Sequence, residues 1–298
     1  MKTVLIAVAI LLIGASFAMA YVHFNQITVR TMPVEPGYKP RPPILNKDPM
    51  TVPTAIVTTS PDSVDTLSSP VKIMMSDNVH YFLVGAPAGQ NNKAIKKIIF
   101  SLPGHGSSAD QDYKAWSRQL LLSDSYALAS VNWWDGEGET PGDYLMPAVL
   151  RKEIEYFLKN QGYVDSDKVI LEGFSRGSAN TYSVVGVDVL SGRSVIDGVI
   201  SASGKYQSDF AMNKEMLAVN NGQMYQGIPW VLACGVKDDN PTRDGCEGMR
   251  ETENFLKSKG ANVLAVLEDS NGGHGAFHMS ELNMAVQALA LFDKLWGN

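Results

Sequence analysis

The chain has 298 residues, 45% of them hydrophobic and 19% charged, which is enough apolar material for a full core and argues against disorder. A formal net charge of −6 offers no basic footprint for nucleic acid.

The first twenty residues, MKTVLIAVAILLIGASFAMA, place a lysine before an apolar run and end on Ala18-Met19-Ala20, a small-x-small site. That pattern predicts a signal peptide cut after Ala20, and hence a secreted or periplasmic protein with no stable membrane association once cleaved. The alternative is an uncleaved N-terminal anchor, since Val4 to Ala20 approaches the shortest apolar run that spans a bilayer. Residues 21–70 hold nine of the fifteen prolines, in stretches such as PVEPGYKPRPP, and read as an extended arm or linker. Domain organisation is therefore 1–20 signal, 21–70 arm, and 71–298 catalytic domain.

From Val71 the pattern changes. Val71–Ser76 and Val79–Gly85 flank Asp77-Asn78 as a hairpin. There follow a strand at 94–102, a helix around 113–122, a strand at 126–132 and a helix at 144–160. The second half gives strand 168–174, helix 176–190, strands 195–202 and 229–235, helix 247–259, strand 262–267 and helix 280–296. Strands alternating with helices of this length predict an α/β fold: a mostly parallel central sheet with helices on both faces. Working groups in such sheets sit at the carboxyl ends of strands, so the loops after strands are the ones to inspect. The stretch Lys205–Gly227 is too short for a large lid, so the site is expected to be fairly open.

The strand KVILEGF runs into Gly173-Phe174-Ser175-Arg176-Gly177, of the form G-x-S-x-G, with a helical stretch directly after it. A serine on a sharp strand-to-helix turn projects its hydroxyl above the sheet. It needs a histidine to take its proton, and the histidine needs a carboxylate to fix its orientation. Asp238 follows the strand PWVLACG, and His274 follows NVLAVLEDS in a glycine-rich loop. Asp239 is the alternative acid, and His278 the alternative base. His274 and His278 lie four apart, but without the Glu of H-E-x-x-H they do not predict zinc.

These marks, GFSRG at 173–177, Gly235-Val236-Lys237-Asp238, GGHG at 272–275 and LPGHG at 102–106, resemble the α/β-hydrolase superfamily. Among its branches the chain resembles secreted feruloyl-esterase and polyhydroxybutyrate-depolymerase-like esterases, over residues 71–298. The resemblance implies a serine hydrolase acting on small or polymeric carboxylic esters, with Ser175, Asp238 and His274 as the triad and no cofactor or metal. Rival readings are a prolyl-oligopeptidase-like serine peptidase and a non-catalytic binding module.

Backbone N–H groups must await the oxyanion, one from Arg176 and a second from Gly104 to Ser107, with His105 and Gly106 preferred. Trp133 and Trp134, just past the strand ending at Asn132, are candidate substrate-binding walls for a sugar or aromatic group. Cys234 and Cys246 are expected to form a disulfide in an oxidising compartment, the alternative being two free thiols.

Overall fold

A computed structural model describes residues 69–86, 96–120, 126–136, 138, 140–163, 167–192, 194–208, 213 and 223–297. The expected signal peptide, nearly all of the proline-rich arm and most of Lys205–Gly227 lie outside the described residues. No described helix is long and apolar enough to cross a membrane.

Eight strands form one sheet: β1 (Val71–Met74), β2 (Tyr81–Gly85), β3 (Lys97–Leu102), β4 (Ala127–Asn132), β5 (Lys168–Phe174), β6 (Gly198–Ala202), β7 (Pro229–Gly235) and β8 (Asn262–Asp269). Their order is β1-β2-β4-β3-β5-β6-β7-β8. The β1–β2 and β2–β4 pairings are antiparallel, and all pairings from β4 to β8 are parallel. Among the described residues, the α-helices that accompany it are α1 (Ala109–Leu120), α2 (Pro147–Gln161), α3 (Arg176–Leu190), α4 (Cys246–Ser258), α5 (Ala276–Met279) and α6 (Met284–Trp296).

The continuous apolar runs of the central strands follow from burial on both faces. Along β3, Ile98, Phe100 and Leu102 join one apolar cluster with Leu150, Ile154 and Phe157 of α2, while Ile99 faces the other way into a cluster with Trp116, Leu289 and Phe292. Helices α2, α3 and α4 contribute to the first cluster, and α1, α5 and α6 to the second. The expected layering of helix, sheet and helix is thus present, and β5 occupies a middle position in the sheet.

Several boundaries differ from the periodicity reading for local reasons. Helix α1 begins at Ala109, because the Ser108 Oγ accepts from the Gln111 N–H (3.3 Å) and Gln111 Oε1 accepts from the Ser108 N–H (3.0 Å). Strand β6 begins three residues late, since the Val195 and Ile196 N–H groups donate to the Asp188 carboxylate instead of to a neighbouring strand. Helix α2 starts at Pro147, and Tyr144 instead pairs with Trp134 as an isolated bridge. The last helix begins at Met284 rather than at Ser280, after Asn283, whose φ of 52° is left-handed, and the short α5 precedes it.

Candidate active site

Chain geometry at the end of β5 explains the two glycines around Ser175. Ser175 has φ 54° and ψ −113°, a strained turn between β5 and α3, and its N–H donates to Ala202 O at 2.8 Å. A Cβ on Gly173 would stand 2.4 Å from the Gly177 carbonyl carbon, and one on Gly177 would stand 1.9 Å from Leu102 O. Only hydrogen fits at either position, so the G-x-S-x-G spacing is a packing requirement of this turn.

His274 arrives from the loop after β8 and Asp238 from the loop after β7. His274 Nε2 lies 2.9 Å from Ser175 Oγ, and His274 Nδ1 lies 2.8 Å from Asp238 Oδ2. Asp238 Oδ1 accepts the Asn240 N–H at 2.8 Å, which fixes the carboxylate plane. The Asp238 side chain is 2% exposed and that of His274 41%, so the carboxylate is dry while the imidazole remains open to solvent. Asp239 is exposed and turned to solvent. His278 sits on α5 against Trp116, both it and His274 touch the Phe174 ring, and the His278 Nε2 is buried with no hydrogen-bond partner.

The two cysteines are joined, Cys234 at the end of β7 to Cys246 at the start of α4, with Cα atoms 5.1 Å apart. The ring they close contains Asp238. Closing a loop of this length stabilises by about 3 kcal/mol through lost chain entropy in the unfolded state.

The loop after β3 approaches the nucleophile through Gly104, where an added Cβ would meet Ser175 Cβ at 3.1 Å. Gly106 has φ +73° and nothing within 4 Å of its Cβ position, and His105 is exposed. The tight contact is therefore made by Gly104, while Gly106 forms the outer turn of the loop. Arg176 is the first residue of α3, at a helix N-terminus whose dipole favours negative charge.

The paired tryptophans separate. Trp133 is 2% exposed, its Nε1 donates to Pro103 O at 3.1 Å, and its ring centroid lies 4.5 Å from that of Tyr144. The expectation that Trp133 forms a substrate wall is corrected: its face is taken up by the core, and it props the β3 loop from beneath. Trp134 is half-buried and meets His105 edge-on at 5.1 Å. His105 Nδ1 in turn lies 2.6 Å from the Tyr144 hydroxyl, and the Arg176 guanidinium stands 5.0 Å from the Tyr144 ring centroid. An aromatic and cationic rim, Trp134, His105, Tyr144 and Arg176, thus borders the serine.

Topology and architecture now stand beside known structures. No family model matches the chain, and no curated protein matches it. An esterase/lipase from an uncultured bacterium superposes with a TM-score of 0.57 at 13% identity, covering 80% of this chain and 87% of that one. The chain has the α/β-hydrolase fold. Other solved structures with this fold include a Rhizomucor miehei esterase (TM-score 0.57, 14% identity, 75% of this chain and 82% of that one) and a Pyrobaculum calidifontis esterase (0.54, 14%, 75% and 83%).

Beneath the nucleophile turn of this hydrolase fold lies a buried polar group that the sequence reading missed. Glu172, three residues before Ser175, is fully buried; its Oε2 accepts from Ser101 Oγ (2.5 Å) and Trp116 Nε1 (3.2 Å). Asp112 of α1 accepts from Ser130 Oγ at 2.5 Å, and one ligand atom each from Asp112, Glu172 and His278 lie within 4.8 Å of one another. Burial pushes Asp112 up to about 6, and burial with the Asp112 charge pushes Glu172 well above the carboxylate range. Burial pulls His278 down to about 4. The one signal was a Glu inside an otherwise apolar strand, KVILEGF.

A carboxyl group with a raised folded pKa contributes stability below its unfolded pKa and loses that contribution as pH climbs through the folded value. Glu172→Gln keeps the shape and removes the ionisation. Its melting temperature relative to the native chain is expected to rise between pH 4.5 and pH 8, by about 3 °C or more. Thermal unfolding scans at five pH values check this; a difference independent of pH would mean that Glu172 is ionised throughout.

Proposed function

We propose that the chain is a secreted serine hydrolase that cleaves carboxylic esters through an acyl-enzyme, with Ser175 as nucleophile, His274 as base and then acid, and Asp238 as its orienting carboxylate. The observation that carries the reading is the hydrogen-bonded row Ser175 Oγ, His274 Nε2, His274 Nδ1 and Asp238 Oδ2, with spacings of 2.9 and 2.8 Å. His274 draws the proton from Ser175 as Oγ attacks the acyl carbon. It returns that proton to the alkoxide leaving group, and a water molecule repeats the sequence to release the acid. The oxyanion is received by the Arg176 N–H and by an N–H of the 104–106 loop, with His105 and Gly106 the candidates carried over and Gly104 holding the loop against Ser175. No metal or organic cofactor enters these steps.

Secretion is supported by the N-terminal pattern ending at Ala20 and by the Cys234–Cys246 disulfide, which suits an oxidising compartment. At the rim, half-buried Trp134 and exposed His105 offer aromatic side chains near the serine, with buried Tyr144 behind them and Arg176 beside it, a setting suited to an ester with a ring-bearing group.

A fluorophosphonate probe tests the assignment directly. Covalent modification of Ser175, mapped by peptide mass, together with turnover of p-nitrophenyl acyl esters and none on a fluorogenic peptide panel, is the expected result. Absence of label on correctly folded protein would reject the nucleophile, and peptide cleavage outpacing ester cleavage would reject the ester.

A further inference from the structure

The acid loop holds a second carboxylate whose position is not explained by the triad alone. The chain from Gly235 to Gly245 coils tightly: Asn240 O accepts the N–H groups of Arg243, Asp244 and Gly245, and a Cβ on Gly245 would come within 3.0 Å of Asp238 Cβ. This winding brings Asp244 back beside Asp238. One oxygen of Asp244, one of Asp238 and a ring nitrogen of His274 all lie within 4.8 Å of one another. Asp244 is 7% exposed, and its Oδ2 accepts from Arg243 Nε (2.8 Å) and Nη2 (2.6 Å). The Arg243 side chain itself is 57% exposed, so its neutralising charge is solvated while that of Asp244 is shielded.

We propose that Asp244 is a second positioning carboxylate of the catalytic row: its charge, moderated by the ion pair with Arg243, favours the imidazolium form of His274 and partly stands in for Asp238 when that group is lost. The proposal rests on the triad reading above. When His274 takes the serine proton, positive charge develops on a ring already touching Asp238. A second negative charge within 5 Å, held by the same loop, lowers the energy of that ion pair further.

Other titratable groups near this loop, among the described residues, have partners or surroundings of their own. Lys237 lies 3.2 Å from Asn271 Oδ1 through its Nζ, and Asp269 accepts the Asn271 N–H within its own turn. His278 is packed against Trp116 and Phe174 with its Nε2 buried, and the Arg176 guanidinium faces Tyr144. Altering Asp244 or Arg243 therefore changes the field at His274 without removing either of its hydrogen bonds.

The pH profile of kcat/KM for a p-nitrophenyl ester reads this effect. Asp244→Asn removes a negative charge beside His274, so the acid-limb midpoint is expected to fall by about 0.5–1 pH unit, and Asp244→Glu to restore it. Arg243→Gln, at an exposed side chain that folding tolerates, is expected to move the midpoint upward. Asp238→Asn is expected to lose about 10³-fold in kcat, and Asp238→Asn with Asp244→Asn at least about tenfold more. A packing role for Asp244 would lower kcat at every pH without moving the midpoint. Unmoved midpoints in both Asp244→Asn and Arg243→Gln, or a double variant no worse than Asp238→Asn, would overturn the proposal. Should Asp244→Asn fail to fold, Arg243→Gln alone still decides the direction. Full activity in Ser175→Ala would instead overturn the triad reading, so the two failures are distinguishable.

Discussion

Ser175→Ala is expected to cut turnover of a p-nitrophenyl acyl ester by about 10⁵-fold or more while leaving the fold intact. The size of the loss follows from the role: without the Oγ there is no atom for the acyl group to occupy, and what remains is the contribution of the oxyanion donors and binding. The stability should barely change. Ser175 Oγ makes its contact with His274, a partly exposed ring, and the turn at φ 54° is held by the backbone bond to Ala202 O rather than by the side chain. Steady-state kinetics beside a melting curve checks both halves. A folded Ser175→Ala variant retaining more than about 1% of native turnover would remove the nucleophile from the mechanism.

Gly177→Ala should do the opposite, damaging structure first and activity as a result. The added methyl would stand 1.9 Å from Leu102 O and 2.9 Å from Leu102 Cβ, on the last residue of β3. Relief requires either α3 to lift from the sheet or the β3 end to retreat, and such overpacking costs about 3 kcal/mol. For a domain of this size that is a fall of roughly 10 °C in Tm. The displaced strand end also carries Pro103 and Gly104 away from Ser175, so kcat should drop by about 10²-fold even below the melting transition. Differential scanning calorimetry and kinetics at 15 °C measure the two effects. A variant that melts with the native chain would show that the turn is far looser than its contacts require.

How much of this could be read from residues alone differs between parts of the molecule. The central strands were legible because burial on both faces forces runs such as KIIFSL and PWVLACG. Helix α3 was placed at its observed bounds, since the glycine-flanked serine announces its start. Ser175, His274 and Asp238 could be picked out because each follows a strand, and the structure brings their side chains into one hydrogen-bonded row. Sequence left Asp238 beside Asp239, and burial of the one against exposure of the other depends on how the loop after β7 winds. Long-range arrangements were not legible. That Trp133 lies inside while Trp134 lies at the rim follows from the two-residue alternation continuing past β4, which a loop assignment hides. Asp244 shares a carboxylate cluster with Asp238 because the five intervening residues form an irregular turn, and nothing in spacing reveals that. Glu172 is buried beside Asp112 because two elements 60 residues apart cross there, at the underside of the nucleophile turn.

The buried bond between Cys234 and Cys246 has a practical corollary. Its two sulfur-bearing residues are 0% and 3% exposed, so a small reductant reaches them only when the β7–α4 junction breathes. Thiol-induced loss of turnover then becomes a stopwatch for that breathing, and any ligand that clamps the acid arm should slow the hand.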